Sequence, residues 1–553
     1  MKYHKLLRLI SIIISLAYSN ISMADNLNFE SGVANRILAA KIAKQRIKCT
    51  KDLRCSLNLT EQFYQQRNYQ AVWLKHNNIV PEANTVINIL NNSYQDGLNP
   101  QDYHLIQLQQ LQQSLAKPDL DAKQHSQLLI DFDLTLTDAY LLYTRHLAMG
   151  KINPLQAYPT WNVMRNNFNP INFLNNALIQ QSIISSLTKL TPNLAQYTKL
   201  KQELAKYQEL QQDGGWESIP NGPTLQLGQT NQRINLLQQR LAKTEDYTID
   251  DDNPDNFTPQ LADTVKHYQQ LHGLKVTGNV DKLTLESLNQ PVEQIIKQIS
   301  INLDRLRWLP QQWESQYILV NIPSYSLQII NNGTTELTMP VIVGSGGDNK
   351  TCIVNSQVTN IELNPYWGIP RRIATQEYLA KIQDDPDYLS KHAIKVYDIR
   401  TNSQVSPSSI DWDQVKPNSF PYQLRQDPGV KNALGKLKFI FPNQCGIYLH
   451  DTSNRTLFGN NNRSLSHGCV RVGKPHDLAE YLLSGMQNWN NDKLDQAINT
   501  GKHRQIKLST PFPIHIIYQT IWVDESGTHF AKDIYKLDNI DFPIDLPSSN
   551  HEN

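Results

Sequence analysis

The hexapeptide "SHGCVR", residues 466–471, sets Cys469 two residues after a histidine and two before an arginine. Three chemistries are open to this cysteine: nucleophile, metal ligand, or half of a disulfide. Zinc wants three or four Cys, His or carboxylate ligands. His467 and Cys469 are separated by one residue, and no CxxC or HExxH motif accompanies them, so no metal is expected. A disulfide would leave the flanking His467, Gly468 and Arg471 unexplained. A nucleophile needs a base or a cationic neighbour, because the thiolate attacks and a free thiol is mostly protonated at neutral pH. His450 and His467 are the candidates. In extended chain His467 and Cys469 stand about 6.5 Å apart at Cα. His450 ends a predicted strand in "IYLHDT", and the intervening loop can return the chain to the same place. Gly468 allows unusual dihedrals and close substrate approach. Backbone N–H groups around Cys469 would form an oxyanion hole. Cysteine–histidine acyl transfer is the favoured reading.

The rest of the chain bears on whether that thiol is free. Residues 1–24 read as a signal peptide: Lys2, Lys5 and Arg8 precede an apolar run too short to span a bilayer comfortably, and small residues follow at Ser22 and Ala24. An uncleaved N-terminal anchor is the alternative. Exported cysteines meet oxidising conditions. There are five, an odd number: Cys49, Cys55, Cys352, Cys445 and Cys469. Cys49 and Cys55 close a short loop and are expected to pair. If Cys352 and Cys445 also pair, Cys469 is left over. Lys+Arg number 52 against 51 Asp+Glu, so no global basic field exists to draw in nucleic acid.

The elements that must position the site come in blocks. Residues 25–215 read as a helical scaffold, with a long amphipathic helix stopped near Gly150 and Pro154. A Gly/Pro-rich boundary, 213–223, follows. In 225–290, Leu236, Leu237 and Leu241 form one helical stripe, Leu261, Val265 and Tyr268 a second, and Thr284, Leu285 and Leu288 a third short helix. Physics alone says "small helical bundle". From Tyr317 the pattern becomes strands and hairpins. Residues 311–510 form the catalytic unit, with a lid inserted at about 371–437. Residues 511–553 read as a C-terminal hairpin, turning at Asp524–Gly527, and a tail. The fold class is multidomain α+β, the catalytic unit mainly β.

Two resemblances enter here. Residues 225–290, with "VKHYQQLHGLKVTGNVDKLTLESLN", resemble the three-helix peptidoglycan-binding domain of bacterial wall enzymes. "IYLHDT" followed by "FGNNNRSLSHGCVR" resembles the signature of the L,D-transpeptidases, cysteine enzymes that cross-link peptidoglycan. "NPYWGIP" (364–370) and residues 425–443 look like the large Gram-negative branch, with its scaffold, binding module and lid. The resemblance implies Cys469 as nucleophile and His450 as base, with the Asp451 backbone carbonyl holding the imidazole tautomer. It implies that His467 and Gly468 shape the nucleophile loop. Arg471 is a candidate for a substrate carboxylate, with a structural ion pair as the alternative; Tyr448, Trp367 and Ser466 are further substrate-contact candidates. Cys445 departs from what relatives would carry. The implied partners are peptidoglycan tetrapeptide stems as donor and acceptor, and other wall-synthesis proteins, with no nucleic acid. No metal or organic cofactor is expected. The implied compartment is the periplasm, and carbapenems are expected to acylate Cys469. Hydrolysis, transfer to a lipoprotein lysine, and a non-catalytic wall-binding role stay open.

Overall fold

The computed structural model describes residue 38 and residues 56–539, apart from 159–160, 164–166, 246, 250–251 and 311. The predicted signal peptide and the Cys49–Cys55 pairing lie outside the described residues.

The scaffold is built around the helix Ala122–Met149. Asp121 starts it with a capping box: its carboxylate accepts the Gln124 N–H while the Gln124 side chain accepts the Asp121 N–H. Gly150 ends it at φ +80°, where a Cβ would lie 2.3 Å from the Trp308 indole nitrogen. Positive φ and close approach both demand glycine there. Phe63, Tyr64 and Trp73 pack against this helix, which contributes Tyr140, in a core that also takes in Leu38.

Residues 225–288 fold as a bundle of helices Arg233–Thr244, Pro259–Leu271 and Lys282–Leu288. Thr258 and Asp281 cap the second and third, each cap contributing about 1 kcal/mol. Leu237, Leu241, Leu261, Val265, Tyr268, Leu285 and Leu288 form its core. The bundle docks on the C-terminal hairpin: the His272 ring is stacked between Tyr268 and Phe530.

The catalytic region holds a mixed sheet. In chain order its strands and those of the lid and hairpin are β1 Gln316–Asn321, β2 Ser326–Asn331, β3 Thr334–Gly344, β4 Ile353–Leu363, β5 Trp367–Gly368, β6 Ile394–Asp398, β7 Gln404–Val405, β8 Tyr422–Gln426, β9 Leu437–Ile440, β10 Leu449–His450, β11 Ser464–Ser466, β12 Val470–Val472, β13 Arg504–Ile517, β14 Ile521–Asp524 and β15 Gly527–Phe530. The order β9-β10-β12-β3-β2-β1-β13-β4 closes on itself, because β4 also pairs with β9. Ile318, Val320, Leu327, Val341, Ile361, Phe439, Leu449, Val470 and Ile514 fill its interior. β5 to β8 make the lid's own sheet, over a separate core of Ile369, Ile373, Leu379, Val396, Phe420 and Leu424.

Three placements differ from the sequence reading. The boundary drawn at 511 falls inside β13, a central strand that pairs with both β1 and β4; only Ile521–Phe530 is the hairpin. Bulging between Lys507 and Phe512, next to Pro511 and Pro513, made one strand read as two. The helix Ala195–Gln212 sits within the predicted scaffold block, yet its Tyr197, Leu200 and Leu204 join the catalytic core. The helix Val292–Trp308, assigned to no block, is buried along most of its length.

Candidate active site

Strand register assembles the site. β10 and β12 run parallel, with Leu449 opposite Val470 and His450 opposite Arg471. Leu449 and Val470 are fully buried in the core. Side chains alternate along a strand, so Tyr448, His450, Cys469 and Arg471 share the other face. β9 adds Lys438, opposite His450. Its ammonium lies 4.6 Å from the Tyr448 ring centroid and pairs with Glu362 at 3.2 Å.

His450 is 5% exposed. Its Nδ1 sits 2.5 Å from the Asp451 carbonyl oxygen. A carbonyl only accepts, so Nδ1 carries the proton and Nε2 is left as the acceptor. Asp451 is itself fixed: its carboxylate accepts from the Lys436 N–H at 2.9 Å and from the Arg455 guanidinium at 2.7 Å. Burial, then the positive charge of Arg471, pushes the imidazole pKa down to about 3, against a smaller upward push from the Asp451 carbonyl.

Cys469 is the free cysteine among the described residues; Cys352 and Cys445 form a disulfide. Its thiol is half-buried. Burial pushes the thiol pKa up, opposed by hydrogen bonds from Tyr448 and by the charges of Lys438 and Arg471. The resting pair is therefore thiol and neutral imidazole, since both charged forms are disfavoured.

The nucleophile loop is held by hydroxyls. Ser466 Oγ donates to the Cys469 carbonyl at 2.6 Å and accepts the Gly468 N–H at 3.1 Å. Ser466 was expected against substrate; it is 3% exposed and committed to this loop. Gly468 sits at φ +117°, a conformation that favours glycine. Its carbonyl accepts from Thr351 Oγ1 at 2.8 Å, and Thr351 Oγ1 accepts from the Gly344 N–H at 2.9 Å. The Tyr535 hydroxyl closes the network, accepting the Thr351 N–H and donating to the Gly344 carbonyl.

The lid covers this face. Trp367 is buried in the lid core, and Tyr448 packs against that core. The Trp367 ring stands edge-on to Tyr378, 6.1 Å away. Residues Ala374–Tyr378 form a π-helical turn, a feature frequent at functional sites. From that turn Glu377 reaches His467, with 2.5 Å between Oε1 and Nε2, and Tyr378 lies within the field of Arg471. Arg372 hydrogen-bonds Asn349 on the loop after β3. Sequence reading missed Glu377, Tyr378, Lys438, Thr351 and Tyr535. Only Lys438 had a signal, in the alternation of "KLKFIF". Among the described residues, no group of three or more His, Cys, Asp or Glu side chains is placed to hold a metal ion, and no helix is long and apolar enough to cross a membrane.

Fold and site together define a multidomain α+β protein with a thiol and an imidazole on one face of adjoining strands, beneath an inserted lid. Residues 315–490 match the family model described as "L,D-transpeptidase catalytic domain". Residues 230–288 match a "Putative peptidoglycan binding domain" and residues 58–204 a "Scaffold domain". A Haemophilus influenzae protein named "Putative L,D-transpeptidase" is 37% identical over 244 residues, 44% of this chain and 48% of that protein. The chain thus spans about half the length of this curated relative. Among solved structures, an L,D-transpeptidase from Stackebrandtia nassauensis is 12% identical with a TM-score of 0.21, over 54% of this chain and 96% of that one. One from Xylanimonas cellulosilytica is 13% identical with a TM-score of 0.16, over 54% and 99%.

Proposed function

We propose that this protein is an L,D-transpeptidase that joins third-position diamino acid residues of peptidoglycan stems in the periplasm. Cys469 is the nucleophile and His450 its base. The observation that carries the reading is the His450 tautomer: with Nδ1 donating to the Asp451 carbonyl, Nε2 is free to take a proton on the face shared with the free thiol of Cys469.

The thiol attacks the carbonyl joining the diamino acid to terminal D-alanine while His450 Nε2 takes the thiol proton. The tetrahedral oxyanion collapses, the C–N bond breaks, and the imidazolium gives its proton to the departing amine. D-alanine leaves and a thioester remains. A second stem's amine then attacks, His450 takes its proton, the C–S bond breaks, and the proton returns to sulfur. Gly468 N–H is occupied by Ser466, which leaves the Cys469 N–H as the loop's donor to the oxyanion. Among the described residues Arg471 Nε has no hydrogen-bond partner, and the planar fork of this guanidinium suits the donor's terminal carboxylate. The lid excludes water, so that the amine competes with hydrolysis. Residues 225–290 tether the enzyme to the wall.

Incubating the purified chain with disaccharide-tetrapeptide and weighing the products tests this. A dimer with released D-alanine supports transpeptidation. Tripeptide alone means water is the acceptor. No change in substrate overturns the catalytic reading. Cys469→Ala is expected to abolish all product, with retained turnover sinking the assigned nucleophile.

A further inference from the structure

The proposed reaction brings two charged groups to one cleft. The donor stem ends in a carboxylate. The acceptor's amine, like a lysine's, is an ammonium at neutral pH, with a pKa of about 10.4. The charges beside Cys469 are mostly positive: Arg471 on β12 and Lys438 on β9. Lys438 is already paired with Glu362. These cations would repel an arriving ammonium.

One carboxylate comes from the lid. Glu377, on the lid's π-helical turn, meets His467 on the nucleophile loop. Their side chains are 40% and 36% exposed, so both are open to an incoming molecule. Glu377 Oε1 is taken by His467 Nε2, and no hydrogen bond engages Oε2. A carboxylate offers about four acceptor sites, so capacity for an ammonium remains. The next residue, Tyr378, lies in the field of Arg471. The lid turn thus brings a carboxylate to His467 and an aromatic ring into the field of Arg471, the two residues that flank Cys469 in sequence.

We infer that Glu377, oriented by His467, is the acceptor-recognition residue, binding the acceptor's diamino acid side chain as an ammonium at the lid edge of the cleft; the ammonium then gives one proton to solvent and the neutral amine attacks. This rests on the transpeptidase reading above. It divides labour between elements: β12 holds the donor's carboxylate, and the lid selects the acceptor's amine. The lid then does more than exclude water, because closing it delivers the acceptor site.

The test uses the full chain and Glu377→Gln, which keeps shape and removes charge, with Glu377→Asp as the conservative rescue. Two readouts are needed. The first is binding of disaccharide-tripeptide, which carries the amine but no cleavable D-alanine, measured by calorimetry. The second is the ratio of dimer to tripeptide product, with thioester formation followed separately by intact mass. Glu377→Gln is expected to weaken tripeptide binding about fivefold, the scale of a partly exposed ion pair. Product should shift from dimer to tripeptide while the thioester forms at an unchanged rate, and Glu377→Asp should recover part of both. Equal loss of thioester and dimer overturns the inference, making the pair a brace for the loop. Unchanged binding and product ratio also overturn it. No thioester in the wild type, with tripeptide binding still dependent on Glu377, sinks the catalytic reading alone.

Discussion

At the residue scale, His450 decides how the site responds to pH. Burial and Arg471 hold its pKa down to about 3. A base with a lowered pKa stays neutral as pH falls until that pKa is reached, so acidification from pH 8 to 5 should not protonate it. The thiol is pushed the other way by burial. The rate of thioester formation is therefore expected to be flat, within about twofold, between pH 5 and 8. Stopped-flow acylation across that range checks this. An acid limb near the unperturbed histidine pKa of about 6.5 would show that the imidazole is solvated in the working enzyme. Much of this site was legible beforehand, because strand alternation and a histidine ending one strand brought His450 toward Cys469. Ser466 was misread for a physical reason. A serine beside a nucleophile looks like a substrate contact, and only loop geometry reveals that its hydroxyl is used up within the turn.

At the element scale, the disulfide and the lid belong together. Cys352 precedes β4 and Cys445 precedes β10, 93 positions apart, and the whole lid from Trp367 to Leu434 lies between them. The bond closes the circuit that contains the lid, at the end of the β4–β9 pair away from the lid's entry after Leu363 and its return before Leu437. Cys352 also directly follows Thr351, whose hydroxyl holds the Gly468 carbonyl. Replacing both cysteines by serine is expected to destabilise the catalytic region by about 2–4 kcal/mol, as for native disulfides closing long loops. Denaturant unfolding followed by tryptophan fluorescence measures it. Protease sites within 345–352 and 441–448 should open earlier than those within 371–437; earlier cleavage in the lid would mean the bond holds the lid rather than the loops it joins. The insertion was readable as a break in strand pattern, and its cysteine pairing was left open. Which loops approach each other depends on the closed circuit β9-β10-β12-β3-β2-β1-β13-β4. No local pattern encodes that closure.

At the scale of the whole molecule, the helix Val292–Trp308 is the strut between scaffold and catalytic sheet. Its last turns carry Asp304, Arg305 and Arg307. All three are buried, at 4%, 3% and 0% exposure. Asp304 accepts the N–H groups of Lys151 at 2.7 Å and Ile152 at 3.1 Å, just past the end of the long scaffold helix. Arg307 donates to the Tyr197 hydroxyl and pairs with Asp304, and it hydrogen-bonds the Asp96 carbonyl. Arg305 pairs with Asp538 at 2.7 Å and donates to the Leu537 carbonyl, tying in the C-terminal segment. The helix was unassigned because charges at a buried interface cannot be told from charges in water without knowing what packs on them. Asp304→Ala leaves a buried guanidinium short of its partner and three N–H groups unsatisfied, those of Lys151, Ile152 and the Trp308 indole. Breaking a buried pair in this way costs about 3–5 kcal/mol. The loss should fall on docking, because none of these groups touches β10 or the nucleophile loop. Calorimetry is expected to show the scaffold transition moving to lower temperature. Thioester formation at 25 °C should stay within about threefold of wild type. An equal loss of catalytic rate and scaffold stability would instead mean that the scaffold holds the site in shape.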